Sequence, residues 1–158
     1  MSELVLTDSI DIEGPPSAVW RALTDPALTK EYMFGCEAVS DWKVGSPLLW
    51  KGAADGQIYV KGNVVEIEPE KLLRHTVIDP NNKEIEDVPE NYLTVAYSLT
   101  SQSSHTTLTV TSGDYATVAR GQARYDESVG GWTTVLAKIK EVAEMEAARA
   151  AAAGAQKT

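Results

Sequence analysis

The chain reads as an α+β fold: an antiparallel sheet, two short helices after its first strand, and one long C-terminal helix over one face. Three observations predict it. Leu93, Val95, Tyr97 and Leu99 alternate with polar residues, as do Leu108 and Val110, which is the period of strands with one buried face. The strand-like runs between Glu37 and Val110 are joined by hairpin-length links, so successive strands run antiparallel. Beyond them Trp132, Leu136, Ile139 and Ala143 recur at three- and four-residue spacing, with Val129 and Val135 widening the stripe. That is the period of an amphipathic helix.

The elements follow in order. Leu4 to Leu6 and Ser9 to Ile12 make an opening strand, ended by Gly14-Pro15-Pro16-Ser17. Pro16 suits a helix's first turn, so Ala18 to Leu23 is the first short helix, with Val19, Trp20 and Leu23 on one side. Asp25 is placed to cap a second helix, Pro26 to Met33, which carries Leu28, Tyr32 and Met33. After Gly35 the period changes. Glu37 to Ser40 and Pro47 to Trp50 are short strands, and Ile58 to Ile67 a longer one in which Gly62 implies a bulge or close packing. Leu72 to Ile78 follows, and then Asp79 to Glu90, polar and with two prolines, reads as an exposed loop. The long helix is expected over Tyr125 to Arg149. Its Gly130-Gly131 pair would cost about 1 kcal/mol per residue against alanine inside a helix. The expected return is a bend, a close backbone approach, or space. Ala147 to Ala153 favours helix by propensity but offers no stripe to dock, so a single domain over 1–150 with a frayed tail over 151–158 is expected.

Composition narrows the function. The 158 residues are 43% hydrophobic and 23% charged, enough for a sizeable core. No run approaches the roughly 18 apolar residues of a membrane span, and the start lacks the pattern of a secretory signal. One cysteine, Cys36, precludes an internal disulfide and any cysteine-cluster metal site, and suits a cytoplasmic location. A net charge of −9 argues against nucleic acid and anionic membrane surfaces as partners.

The sequence carries no recognisable catalytic motif. There is no Gly-x-Ser-x-Gly elbow, no phosphate-binding loop and no histidine pair at metal-site spacing, so no metal, cofactor or catalytic residue is assigned. Glu84, Glu86, Asp87 and Glu90 form a solvated charge run. His105 lies in a polar turn. His75 shares a strand face with Leu73 and Val77 and, if that face is the core side, reads as either a satisfied core histidine or a polar handle in an apolar cavity. Glu66 points inward with Val64 if strand alternation holds, and outward if a bulge at Gly62 reverses it. Trp20, Tyr32, Trp50, Tyr97 and Trp132 each fall on an apolar face of their own element, and each such ring buries about 150–250 Å².

Five segments in this order resemble the homologues of the activator of heat-shock protein 90 ATPase, within the SRPBCC, START or Bet v 1-like superfamily. They are Gly14 to Pro26, Trp42 to Pro47, Gly62 to Pro69, Thr94 to Leu99 and Gly131 to Leu136. The resemblance runs from about Leu4 to Glu144. It implies a helix-grip fold, in which a curved antiparallel sheet wraps a C-terminal helix around a cavity. A dry void of roughly 300 Å³ would cost about 7 kcal/mol at ~24 cal/mol per Å³, so such a space should be smaller, wet or occupied. Trp20, Tyr32, Trp50, His75, Tyr97, Trp132 and Leu136 are the expected cavity residues. The implied function is to hold a small hydrophobic or amphipathic ligand. The alternatives are a cyclase- or aromatase-like enzyme, with His75, Tyr97 and Glu66 as acid–base groups, and a chaperone ATPase-activator-like interaction. His75 stands where the family often has tyrosine or phenylalanine. The eukaryotic activator's separate gripping domain has no room in 158 residues, which ranks a chaperone partner below a ligand.

Overall fold

The structure is a computed structural model that describes residues 4–102 and 105–155. Seven strands form one antiparallel sheet: β1 Leu6–Ile12, β2 Cys36–Ser40, β3 Pro47–Gly52, β4 Ile58–Glu68, β5 Leu72–Val77, β6 Leu93–Gln102 and β7 His105–Gly113. Their spatial order is β1-β7-β6-β5-β4-β3-β2, so every neighbour except β1–β7 is also a sequence neighbour. The helices are α1 Pro16–Thr24, α2 Pro26–Thr29, α3 Gly121–Ser128 and α4 Gly131–Ala155. Pairing β1 with the last strand, in register from Leu6 opposite Ser112 to Ile12 opposite Thr106, brings α1 against α4. The core lies between the sheet's inner face and these two helices: Ile12, Val19, Leu73, Leu108, Val110, Leu136, Ile139 and Ala143 are all essentially inaccessible. The expected alternation holds in β6, where Leu93, Val95, Tyr97 and Leu99 are buried.

Two shifts in register bend the sheet. Between β3 and β4, Trp50 faces Val60 while Lys51 faces Ile58, leaving Tyr59 unpaired. Between β4 and β5, Val64 faces His75 while Glu66 faces Arg74, leaving Val65 unpaired. A residue inserted on one strand bends it and increases its local twist, which gives an otherwise flat ladder its curvature. Gly62 is not at either shift. It is the close-packing site, since a Cβ there would lie 1.7 Å from the Thr76 carbonyl oxygen.

Three expectations are corrected. The second helix does not reach Met33, because α2 stops at Thr29. The Thr29 hydroxyl, fully buried, donates toward the carbonyls of Pro26 and Cys36 and accepts from the amide of Ala38 at 2.9 Å. That ties the residue to β2 and turns the chain through Phe34 and Gly35, both at positive φ. Asp25 does cap this helix, accepting from the Ala27 amide at 2.9 Å.

The single helix expected over Tyr125 to Arg149 is two helices. Val129 closes α3 with its amide on the Tyr125 carbonyl, and Gly130 follows at φ +81°. A left-handed residue just past a helix end is the usual glycine stop, so the pair ends one helix and starts the next. Neither glycine has any atom within 4 Å of where a Cβ would be, so close approach is not their role. Val129, placed on the apolar stripe, is about half exposed at this break. Gly130→Ala should therefore cost about 1 kcal/mol through its backbone conformation alone, whereas Gly131→Ala, in the first turn of α4, should stabilise by up to about 1 kcal/mol. Urea unfolding of the two variants checks this, and a shift of the same sign in both would refute it.

The third correction concerns the C-terminus, where α4 remains helical to Ala155. Of the frayed tail expected over 151–158, residues 156–158 lie outside the described residues. The helix is docked by polar contacts at its ends and middle. Thr133 donates to Asp8 at 2.9 Å, Lys140 to the Asp11 carbonyl at 2.8 Å, and the Arg21 guanidinium meets Glu146 at 3.1 Å.

Candidate functional site

Four of the predicted side chains form a continuous row through the interior. Trp50 from β3 lies 6.5 Å from His75 of β5, His75 lies 6.1 Å from Tyr97 of β6, and Tyr97 lies 6.0 Å from Trp132 of α4, ring centroid to centroid. The last pair is edge-to-face at 80°, the arrangement that ring quadrupoles favour. Register explains the row. His75 sits directly opposite Val64 on one side and Val95 on the other, and Tyr97 opposite Leu73 and Val110, so all these residues face inward.

The row runs between two apolar hollows. One, of about 360 Å³, lies between the sheet and the start of α4 and is bordered by Val77, Leu93, Val95, Tyr115, Trp132 and Val135. The other, of about 440 Å³, opens beneath the β3–β4 turn and is bordered by Cys36, Trp50, Tyr59 and Val60. Met33 and Phe34 border both. Each hollow is within the lower range of small-molecule sites. Trp132 borders the first hollow and Trp50 the second, so the two ends of the row meet different spaces.

Burial sets the electrostatics. His75 is 2% exposed and, with no acidic neighbour to hold a positive charge, its pKa is pushed down to about 4 by desolvation, partly offset by the Thr76 carbonyl. Desolvation likewise raises the Tyr97 hydroxyl well above its ordinary value. At neutral pH both groups are uncharged. Burial also pushes the Cys36 thiol up, with Asp55 adding to the effect, which keeps it protonated and unreactive.

The other predicted residues have other positions. Leu136 is buried within the core cluster beneath α4. Tyr32 is an anchor: its hydroxyl donates to the Ala22 carbonyl at 2.8 Å and fastens the α2 turn to α1. Trp20 is half-buried on α1, packed on the core, and borders neither hollow. Glu66 faces solvent, paired with Arg74 at 2.7 Å. The reversal comes from the unpaired Val65 and not from Gly62, and it removes Glu66 from any acid–base role in the interior. His105 opens β7 and is not in a turn.

Sequence reasoning missed Phe34, 90% exposed at the rim of both hollows, and Tyr115, whose hydroxyl shares a 2.8 Å hydrogen bond with Ser112. Phe34 lay just past what read as a helix end, and no periodic signal marks it. Val77 and Val95 were recoverable, since each shares a face with His75 or Tyr97. Among the described residues no group of three or more histidine, cysteine or acidic side chains is close enough to hold a metal. No helix among them is long and apolar enough to cross a membrane.

A curved antiparallel sheet wrapped against a long C-terminal helix, with an apolar hollow between them, defines a helix-grip protein of the SRPBCC type. The chain belongs to the Activator of Hsp90 ATPase homolog 1-like protein family, whose pattern it matches over residues 13–144. It is similar to a protein from Cytophaga hutchinsonii whose solution structure is 32% identical over 92% of this chain and 98% of that one, with a TM-score of 0.72. It shares its fold with an HSP90 activator from Plasmodium falciparum, at 21% identity, 70% and 72% coverage and a TM-score of 0.57. The Aha1 protein of Colwellia psychrerythraea, solved as a dimer, is 17% identical with 90% and 97% coverage and a TM-score of 0.67. Among curated proteins none matches the chain significantly by sequence.

Proposed function

We propose that this protein holds a small apolar or amphipathic molecule between the sheet and α4. The observation that carries the reading is the hollow of about 360 Å³ bordered by Val77, Val95 and Trp132, with buried aromatic rings extending inward from it. Apolar walls supply affinity by removing ligand surface from water, and a few polar groups supply orientation. Trp132 is both a wall residue and a fluorophore, so binding should change its emission. Titration with naphthalene, fatty alcohols and sterols, followed by amide shifts, is expected to move residues of β5, β6 and the first turns of α4. Val135→Trp, which fills the space from the helix side, should weaken uptake about tenfold or more, equivalent to ~1.4 kcal/mol. Uptake that is unchanged in this variant would remove the hollow from the proposal.

A second reading rests on the family match and on the likeness to an HSP90 activator. In it the domain contacts a chaperone, with its net charge of −9 steering encounter toward a basic patch. Stimulation of the chaperone's ATPase by the purified protein, falling as salt rises, is the expected result. No stimulation at any ionic strength would dispose of it.

A further inference from the structure

His75 carries a specific chemical instruction for whatever occupies the interior. Its Nδ1 lies 3.3 Å from the Thr76 carbonyl oxygen, and a carbonyl can only accept, so Nδ1 bears the proton. Nε2 is left as a bare lone pair. Among the described residues it is the one buried side-chain nitrogen or oxygen without a hydrogen-bond partner. Buried threonine, asparagine and serine side chains elsewhere in the fold are matched: Thr29 to Ala38, Asn91 to Glu86 and Ala119, Thr106 to Gly14, and Ser112 to Tyr115. Native proteins rarely leave such an acceptor empty without a reason.

Its position supplies one. His75 lies between Leu73 and Val77 on the inner face, opposite Val95, and both valines border the hollow next to α4. The Tyr97 ring lies beside it and Trp132 beyond that. Trp132 is only half-buried and follows Gly130 and Gly131, beside whose Cβ positions nothing lies within 4 Å, so it is the ring best placed to make room. A lone pair in such a place accepts a hydrogen bond from a donor and repels an anion, and the Glu127 carboxylate at the rim is a further barrier to anions.

Resting on the reading above, we propose that the guest is an uncharged phenol-like molecule. Its hydroxyl donates to His75 Nε2 and its flat apolar body lies against Tyr97 and Trp132. The site discriminates against carboxylates and phosphates, so ionised fatty acids and nucleotides are not its ligands.

The test compares three probes of one shape on the full-length protein at pH 7: naphthalene, 2-naphthol and 2-naphthoate. The naphthol should bind about tenfold more tightly than naphthalene, and the naphthoate most weakly. The ¹⁵N resonance of His75 Nε2 should move on adding naphthol and stay put with naphthalene, a readout that needs no variant. In His75→Phe the tenfold preference should vanish while naphthalene still binds. Equal affinities for naphthol and naphthalene, a stationary Nε2 resonance with bound naphthol, or tightest binding by naphthoate would each overturn the proposal while leaving the cavity reading intact. Failure of all three probes to shift β5, β6 or α4 resonances would defeat the cavity reading and this assignment with it.

Discussion

Gly62→Ala is expected to cost about 3 kcal/mol or more. The new Cβ would sit 1.7 Å from the Thr76 carbonyl oxygen and 2.4 Å from its carbon. Those atoms cannot swing aside as a side-chain tip would, because the backbone around them is pinned. Lys61 and Ile78 exchange amide–carbonyl bonds of 3.0 and 2.8 Å on one side of the contact. On the other, the Asn63 amide donates to the Thr76 hydroxyl at 2.9 Å. Strands β4 and β5 must therefore separate locally, losing ladder bonds and the packing of Val64, Leu73 and His75. Overpacking of a rigid site typically costs about 1–3 kcal/mol and more where backbone must move. Gly45→Ala is the control, since Gly45 needs its φ of +88° but has nothing within 4 Å; it should cost only about 1 kcal/mol. Equal midpoints for the two variants in urea unfolding would mean that the strands are not in contact at Gly62.

The second large effect is a loss of stability on mild acidification. Folding lowers the His75 pKa from 6.5 to about 4. A group whose folded pKa is depressed is neutral in the native protein while the unfolded chain takes up a proton, so the unfolded state gains as pH falls. The contribution is complete above about pH 6.5 and is lost progressively down to about pH 4, amounting to about 3 kcal/mol at 1.36 kcal/mol per pH unit. Carboxylates whose values are lowered, among them Glu144 beside Lys140 and Glu146 between Arg149 and Arg21, lose their share only in the more acidic range. The two ranges can thus be told apart. Unfolding free energy measured between pH 7 and 4.5 should fall in the native protein and fall much less in His75→Phe. A parallel decline in both proteins would show that His75 is not the group responsible.

Much of the architecture could be read from the chain because it is written in local periods. Period-two runs at Leu93 to Leu99 and a 3.6-residue stripe at Trp132, Leu136, Ile139 and Ala143 report which faces are buried, whatever those faces meet. The Asp25-Pro26 cap and the glycine at position 62 are equally local, one a hydrogen-bond geometry and the other the absence of a side chain. Trp50, Tyr97 and Trp132 were recognisable on apolar faces for the same reason, whereas the direction of His75 stayed open until its strand was placed.

What only the tertiary structure decided depends on register and on backbone conformation set by distant residues. Val65 is the unpaired residue that turns Glu66 outward, a choice made jointly by β4 and β5 that no alternation in either strand announces. Thr29 ends α2 because β2 needs its hydroxyl, and Gly130 divides two helices by its left-handed backbone where spacing alone suggested one. The tautomer of His75 follows from a single carbonyl 3.3 Å away. The sequence by itself determined the order of the strands, most of the buried faces and the family, since apolar spacing and short motifs survive without coordinates. The rings' meeting in a row, the hollows beside them and the lone pair facing no donor are non-local, and only the folded sheet and helix bring them into being.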